Sequence, residues 1–252
     1  MSRIAAIFRP GHKALIAYLT AGYPRREMTL EVAAVLADGG CDIIELGIPF
    51  SDPLADGATI QKASYQALRQ GITPRDCLEM ARELRRRVDT PLVFMSYYNP
   101  ILNFGLEAFC RASVEAGLDG LIVPDLPPEE GVELGASARK HGLDLIYLLT
   151  PISSEARIAL VAERSDGFIY LVSLTGVTGA RQALPADLEG FVGRARKVTD
   201  KPLCVGFGVS NPEQAERIAR IADGVIVGSR LIQLIDEDAT PVSYTHLRAH
   251  ET

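Results

Sequence analysis

The chain has 252 residues, 47% hydrophobic and 23% charged, the composition of a globular protein with a substantial core. A net charge of −6 and the lack of a Lys/Arg-dominated patch exclude a nucleic-acid binder, and no run of about 18 apolar residues is present to cross a membrane. Pro10-Gly11 falls too early for the apolar region of a signal peptide, so a cytoplasmic protein is expected. Cys41, Cys77, Cys110 and Cys204 are scattered without a CxxC pair, which predicts reduced core thiols rather than metal ligands or disulfides.

A short amphipathic lead (Ile4, Ile7, Phe8) precedes a buried strand over Ala14–Leu19. A helix with apolar Leu30, Ala33, Ala34 and Ala37 follows, closed by Gly39-Gly40. The second strand is expected over Asp42–Leu46, then helices near Ile60–Gln70 and from Pro74, the latter ending around Arg85-Arg86-Arg87. That basic run reads as a solvated helix end, where cations favour the helix dipole. The third strand is Pro91–Met95, and a loop over Ser96–Phe104 leads to a helix ending at Gly117. The alternation continues with strands at Gly120–Val123, Asp144–Leu148, Phe168–Val172, Pro202–Val205 and Gly224–Val227. Helices are expected over Glu129–His141, Ser154–Arg164, Pro185–Val198, Asn211–Ile221 and Ser229–Ile235. Eight continuously apolar strands suit a parallel sheet covered on both faces. A doubly wound open sheet would accommodate them, but eight regular units in this length fit a single-domain (β/α)8 TIM barrel better.

In such barrels the site lies at the strands' C-terminal ends. Glu45, Asp125 and Tyr170 are placed there, as are three Gly-rich segments, Thr175–Gly179, Gly206–Gly208 and Gly228-Ser229; His12 and His141 fall on the opposite side and read as structural. Glycine lets backbone N–H groups approach an anion, and a helix N-terminus favours negative charge, so consecutive glycine turns predict a phosphate monoester site. Tight βα turns alone would explain Gly206 and Gly208, but not the long segment Thr175–Leu184, which reads as a lid. Glu45 and Asp56 form a candidate acid/base pair, because burial beside aliphatic side chains raises a carboxyl pKa. The plainer alternative makes Glu45 a solvated strand end and Asp56 a turn or cap residue. No lysine sits at a strand's C-terminal end for a Schiff base, no His for a metal, and no GxGxxG follows a strand. Tyr98, Ile60, Tyr170 and Phe207 would give nonpolar surroundings suited to an aromatic substrate.

The segment ELGIPFSDPLADGATIQ, followed in order by VPDLPPEE, SLTGVTGAR, GFGVSNPEQ and IVGS and preceded by LTAGYP, resembles the tryptophan synthase alpha subunit family from about Arg3 to Asp236. The resemblance implies retro-aldol cleavage of indole-3-glycerol phosphate to indole and glyceraldehyde 3-phosphate. It makes Glu45 the acid/base at the indole C3 position, Asp56 the group that holds the indole N–H, and Tyr170 a support near Glu45. Gly179, Gly208, Gly228 and Ser229 would hold phosphate, Phe207 and Ile60 would line the pocket, and Thr178 would meet Asp56 on lid closure. It also implies a beta-subunit partner in an alpha2beta2 assembly, carrying the pyridoxal phosphate that this chain lacks, with Pro49, an exposed Phe50 and Asp52 facing it. The family continues in a long final helix, whereas residues 237–252 run into PVSYTHLRAHET; this tail is expected to be foreign to a barrel of residues 1–236, leaving it without a native final helix and less stable. Another phosphate-sugar barrel such as an isomerase, or a silent barrel that only activates its partner, remain as alternatives.

Overall fold

The computed structural model of the chain describes residues 2–172, 187–206 and 208–237. Nine parallel strands among them form one sheet. They are β1 Ala14–Thr20, β2 Ile43–Gly47, β3 Leu92–Met95, β4 Gly120–Ile122, β5 Asp144–Ile146, β6 Leu148–Leu149, β7 Ile169–Val172, β8 Leu203–Gly206 and β9 Gly224–Val227. Their order is β5-β4-β3-β2-β1-β9-β8-β7-β6. The end strands β5 and β6 flank Tyr147 on one run of chain, so the two edges meet. Tyr170 donates its N–H to the Tyr147 carbonyl at 3.1 Å, and Asp166 donates to Leu145 at 2.9 Å, across that seam. The eight expected β-runs and the barrel are therefore present, with one run split in two.

The described helices are α1 Arg26–Asp38, α2 Ala58–Arg69, α3 Pro74–Arg85, α4 Tyr98–Phe104, α5 Leu106–Glu115, α6 Val132–His141, α7 Glu155–Arg164, α8 Leu188–Arg196, α9 Pro212–Ile221 and α10 Ser229–Glu237. Local chemistry explains several ends. Thr73 and Asp76 form a reciprocal capping box before Pro74, and Asn211 caps α9 before Pro212. Gly142 takes a left-handed conformation (φ 78°) to end α6. The expected loop over Ser96–Phe104 is instead mostly α4, which breaks at Gly105 (φ 92°) before α5. Sequence periodicity misses it because seven residues are too few to show a helical stripe. Thr178, Gly179, Phe207 and the tail beyond Glu237 lie outside the described residues.

Strand alternation sorts the core into two layers. Ile44 and Leu46 face the helices, while Ile16, Ile43, Val93, Ile122, Ile146, Phe168, Cys204 and Ile226 fill the barrel interior. Ile4, fully buried, joins that interior cluster, so the N-terminal lead packs into the barrel.

The N-terminal side of the barrel is tied by aspartates that precede strands. Asp42 accepts the Leu15 N–H at 2.8 Å, and Asp119 and Asp223 accept those of Leu92 and Leu203, each at 2.9 Å. Each is paired with a cation or histidine: His12 with Asp42, Arg85 with Asp119 and Arg196 with Asp223. His12 is thus structural, as expected. Arg85 is not the solvated helix end that its basic run suggests. Its guanidinium donates to the carbonyls of Gly117, Val88 and Thr90 as well as to Asp119. Arg85→Met would leave those acceptors without their donor and is expected to cost about 2–3 kcal/mol, read as a lowered urea midpoint at unchanged m-value. An unchanged midpoint would mean that the clamp contributes nothing.

Candidate active site

In β2, Glu45 lies on the same face as Ile43, so alternation turns its carboxyl into the barrel rather than toward solvent. The strand extends through Gly47, which puts Glu45 one step deeper than the loop junction that the sequence suggested. It is 1% exposed, and among the described residues neither carboxylate oxygen has a hydrogen-bond partner. Burial, and then repulsion from Asp56, push its pKa up to about 8. Asp56 is 6% exposed in the loop between β2 and α2, whose N-cap is Gly57. Burial raises its pKa to about 7, against the opposing effect of a hydrogen bond from the Tyr97 hydroxyl. Glu45 is therefore not a solvated strand end; Asp56 closes a turn through its N–H to the Pro53 carbonyl at 3.1 Å but is not the helix cap, and its carboxyl is buried.

One pocket gathers Glu45, Asp56, Ile60, Tyr170, Gly208, Gly228 and Ser229, together with Tyr18, Met95, Val209 and Ile226. Its cavity volume is about 30 Å³, and it opens to solvent at its mouth. Tyr18 stands beside Glu45 in the β1–β2 register, its hydroxyl 3.2 Å from that of Thr20. Its ring lies over Gly47, where any Cβ would collide with the phenol, and the Tyr170 ring lies over Gly206 in the same way. These glycines therefore make room for the two aromatic walls. Burial and the nearby carboxyls raise both phenol pKa values, keeping the tyrosines neutral. Ser229 opens α10, whose first N–H groups have no intrahelical acceptor, and Gly208, in the same pocket lining, takes a positive φ of 91°. Gly208, Gly228 and Ser229, the described residues of the expected phosphate site, thus line one pocket with the two carboxyls.

Other expected residues are elsewhere. Tyr98 is half-buried at the start of α4 and donates its N–H to Asp125 at 2.9 Å; the tyrosine that reaches Asp56 is its neighbour Tyr97. Pro49 is buried and Phe50 half-buried, stacked on Tyr97 with centroids 5.2 Å apart, so the expectation of an exposed Phe50 is corrected. Asp52 is exposed, and the apolar residue that this loop offers to solvent is Leu54, 87% accessible. Tyr18 and Tyr97 were missed by sequence reasoning.

The family model for the tryptophan synthase alpha chain matches residues 4–251. The chain belongs to the tryptophan synthase alpha chain family. It is thus a carbon–carbon lyase of tryptophan biosynthesis, cleaving indole-3-glycerol phosphate, and the family's alpha chain uses no cofactor of its own. The chain is 57% identical over 238 residues to the tryptophan synthase alpha chain of Dehalococcoides mccartyi, covering 94% of this chain and 93% of that one. It is 51% identical over 241 residues to the alpha chain of Chloroflexus aurantiacus, covering 94% and 91%. Among solved structures, Mycobacterium tuberculosis tryptophan synthase superposes with a TM-score of 0.89 at 40% identity, over 99% of this chain and 93% of that one. The alpha subunit of Legionella pneumophila gives 0.90 at 37%, over 100% and 96%. No described helix is long and apolar enough to cross a membrane.

A raised carboxyl pKa has a signature in stability. The folded state keeps the Glu45 proton up to about pH 8, whereas the unfolded chain releases it near the ordinary value of 4.5. Between those limits the native state binds more protons, so its contribution to stability falls as pH rises. Glu45→Gln removes that loss, and its stability relative to the parent is expected to improve steadily from pH 5 to pH 8 in urea titrations. A difference independent of pH would contradict the raised pKa.

Proposed function

We propose that Glu45 and Asp56 carry out the cleavage as a pair sharing one proton, Glu45 as the acid and Asp56 as the fixed anion. What supports this is the burial of both carboxyls in one pocket, Glu45 with neither oxygen partnered among the described residues. A buried carboxyl whose pKa lies near the working pH can both give and take a proton. Glu45 protonates C3 of the indole ring, leaving positive charge on the ring nitrogen. Asp56 accepts the indole N–H and stabilises that charge in a site of low dielectric. The bond from C3 to the side chain then breaks, its electrons return to the ring, and the hydroxyl proton of the departing carbon passes to the Glu45 carboxylate. Indole and glyceraldehyde 3-phosphate result, and Glu45 is again protonated. Tyr18 and Tyr170 wall the ring, Ile60 and Phe207 complete the apolar lining, and Gly179, Gly208, Gly228 and Ser229 receive the phosphate. Thr178 meets Asp56 when the lid closes.

The beta subunit docks on the loop that bears Pro49, Phe50 and Asp52, in an alpha2beta2 assembly in the cytoplasm, and carries the pyridoxal phosphate of the second reaction. Leu54 on that loop, and Ile152 at 82% exposure on the loop before α7, supply apolar surface for an interface.

Indole release from indole-3-glycerol phosphate tests the assignment, with and without a beta subunit. Glu45→Gln is expected to lower kcat by at least about a hundredfold and Asp56→Asn by about as much. The parent kcat/KM should trace a bell in pH, with apparent constants near 7 and 8 that belong to the pair. Full activity in Glu45→Gln, or no release from the folded parent, would overturn it.

A further inference from the structure

Tyr97 has no assigned task, yet it touches both limbs of the loop that carries Asp56. Its backbone is fixed where β3 passes into α4: the Ser96 N–H donates to the Ile122 carbonyl at 3.0 Å, and the Ser96 hydroxyl donates to the Tyr97 carbonyl at 3.0 Å. The side chain is buried, at 5% exposure. Its hydroxyl accepts the Ala55 N–H at 2.9 Å and donates its own proton to the Asp56 carboxylate. One phenol oxygen thereby spends its donor and an acceptor on consecutive loop residues. The ring stacks on Phe50 at an interplanar angle of 28°, five residues before Ala55 on the same loop.

We infer that Tyr97 is a positioning residue for the lyase reaction, aiming the Asp56 carboxyl and tying its placement to Phe50 on the partner-facing loop. The inference rests on the role given to Asp56 above. The hydroxyl supplies a directed hydrogen bond to the anionic form of Asp56, which a neutral aromatic of the same shape cannot. Phe50 has no polar atom to offer Asp56, so its influence passes through the stacked ring. A partner that presses on this loop, or releases it, therefore moves Phe50, Tyr97 and Asp56 together.

The groups that face Asp56 are Glu45 from β2, Tyr18 from β1, Tyr170 from β7 and Tyr97 itself, with Asp125 acting on Tyr97 from the segment after β4. Among the described residues none of these groups is a cation, and the Tyr97 hydrogen bond is what favours the charged form of Asp56. Its removal raises the pH at which Asp56 ionises, and the activity that needs the anion is lost at the acid end first.

The test is the pH dependence of indole release by the assembled complex for the parent, Tyr97→Phe, Phe50→Leu and the double variant, each checked for an unaltered thermal transition. Tyr97→Phe keeps the ring and its stack. It is expected to move the acid limb of kcat/KM upward by about half a unit or more and lower kcat about tenfold, with KM within about twofold. Phe50→Leu should move the limb the same way by less, and the double variant should match Tyr97→Phe alone, because both changes act through one bond. An acid limb that stays in place in Tyr97→Phe would overturn the positioning role, and additive shifts in the double variant would overturn the link to Phe50. A parent that releases no indole would overturn the reaction assignment and this inference with it, and that control separates the two failures.

Discussion

The proposed chemistry depends on a carboxyl group held inside the barrel with no cation beside it among the described residues. Strand alternation points Glu45 inward, and the interior below it is filled by aliphatic and aromatic side chains from every part of the sheet. A charge in such a place is unfavourable, so the group keeps its proton into the range where it can act as an acid. The arrangement costs stability at neutral pH, and the rest of the barrel offsets that cost. The aspartate ties on the N-terminal side, far from the pocket, hold neighbouring strands in register through side-chain bonds to backbone N–H groups. Rigidity and reactivity are thus placed at opposite ends of the same strands.

The pocket's walls follow from small residues as much as from large ones. Tyr18 and Tyr170 reach their positions only because Gly47 and Gly206 have no side chain on the neighbouring strand. The loop between β2 and α2 then brings Asp56 over the same space, and turns at Asp52–Leu54 and Pro53–Asp56 keep it short. Because that loop also presents Leu54 to solvent, the proposed catalytic anion and an exposed apolar side chain share one piece of backbone.

Much of this was legible in the chain. Continuous apolar runs at regular spacing announced the barrel, and the position of Glu45 in its strand, with the glycines after the later strands, located the mouth. What stayed hidden has physical causes. A strand buried on both faces shows no polar alternation, so the inward face of β1, and Tyr18 with it, did not stand out. Tyr97 and Tyr98 are adjacent and chemically identical; only the start of α4 decides which one turns toward Asp56. Arg85 looked solvated because its acceptors at Gly117 and Asp119 lie more than thirty residues away in sequence. Phe50 looked exposed for the same reason, since its cover comes from Tyr97 on another strand–helix junction.

The most direct measurement is the protonation state of Glu45 in the free protein, followed by carboxyl infrared absorption across pH and compared with Glu45→Gln. A protonated buried carboxyl is expected to persist near neutral pH, to lose its proton around pH 8 and to be missing from the variant. A spectrum in which every carboxyl is ionised by about pH 5, the range of ordinary side chains, would contradict it.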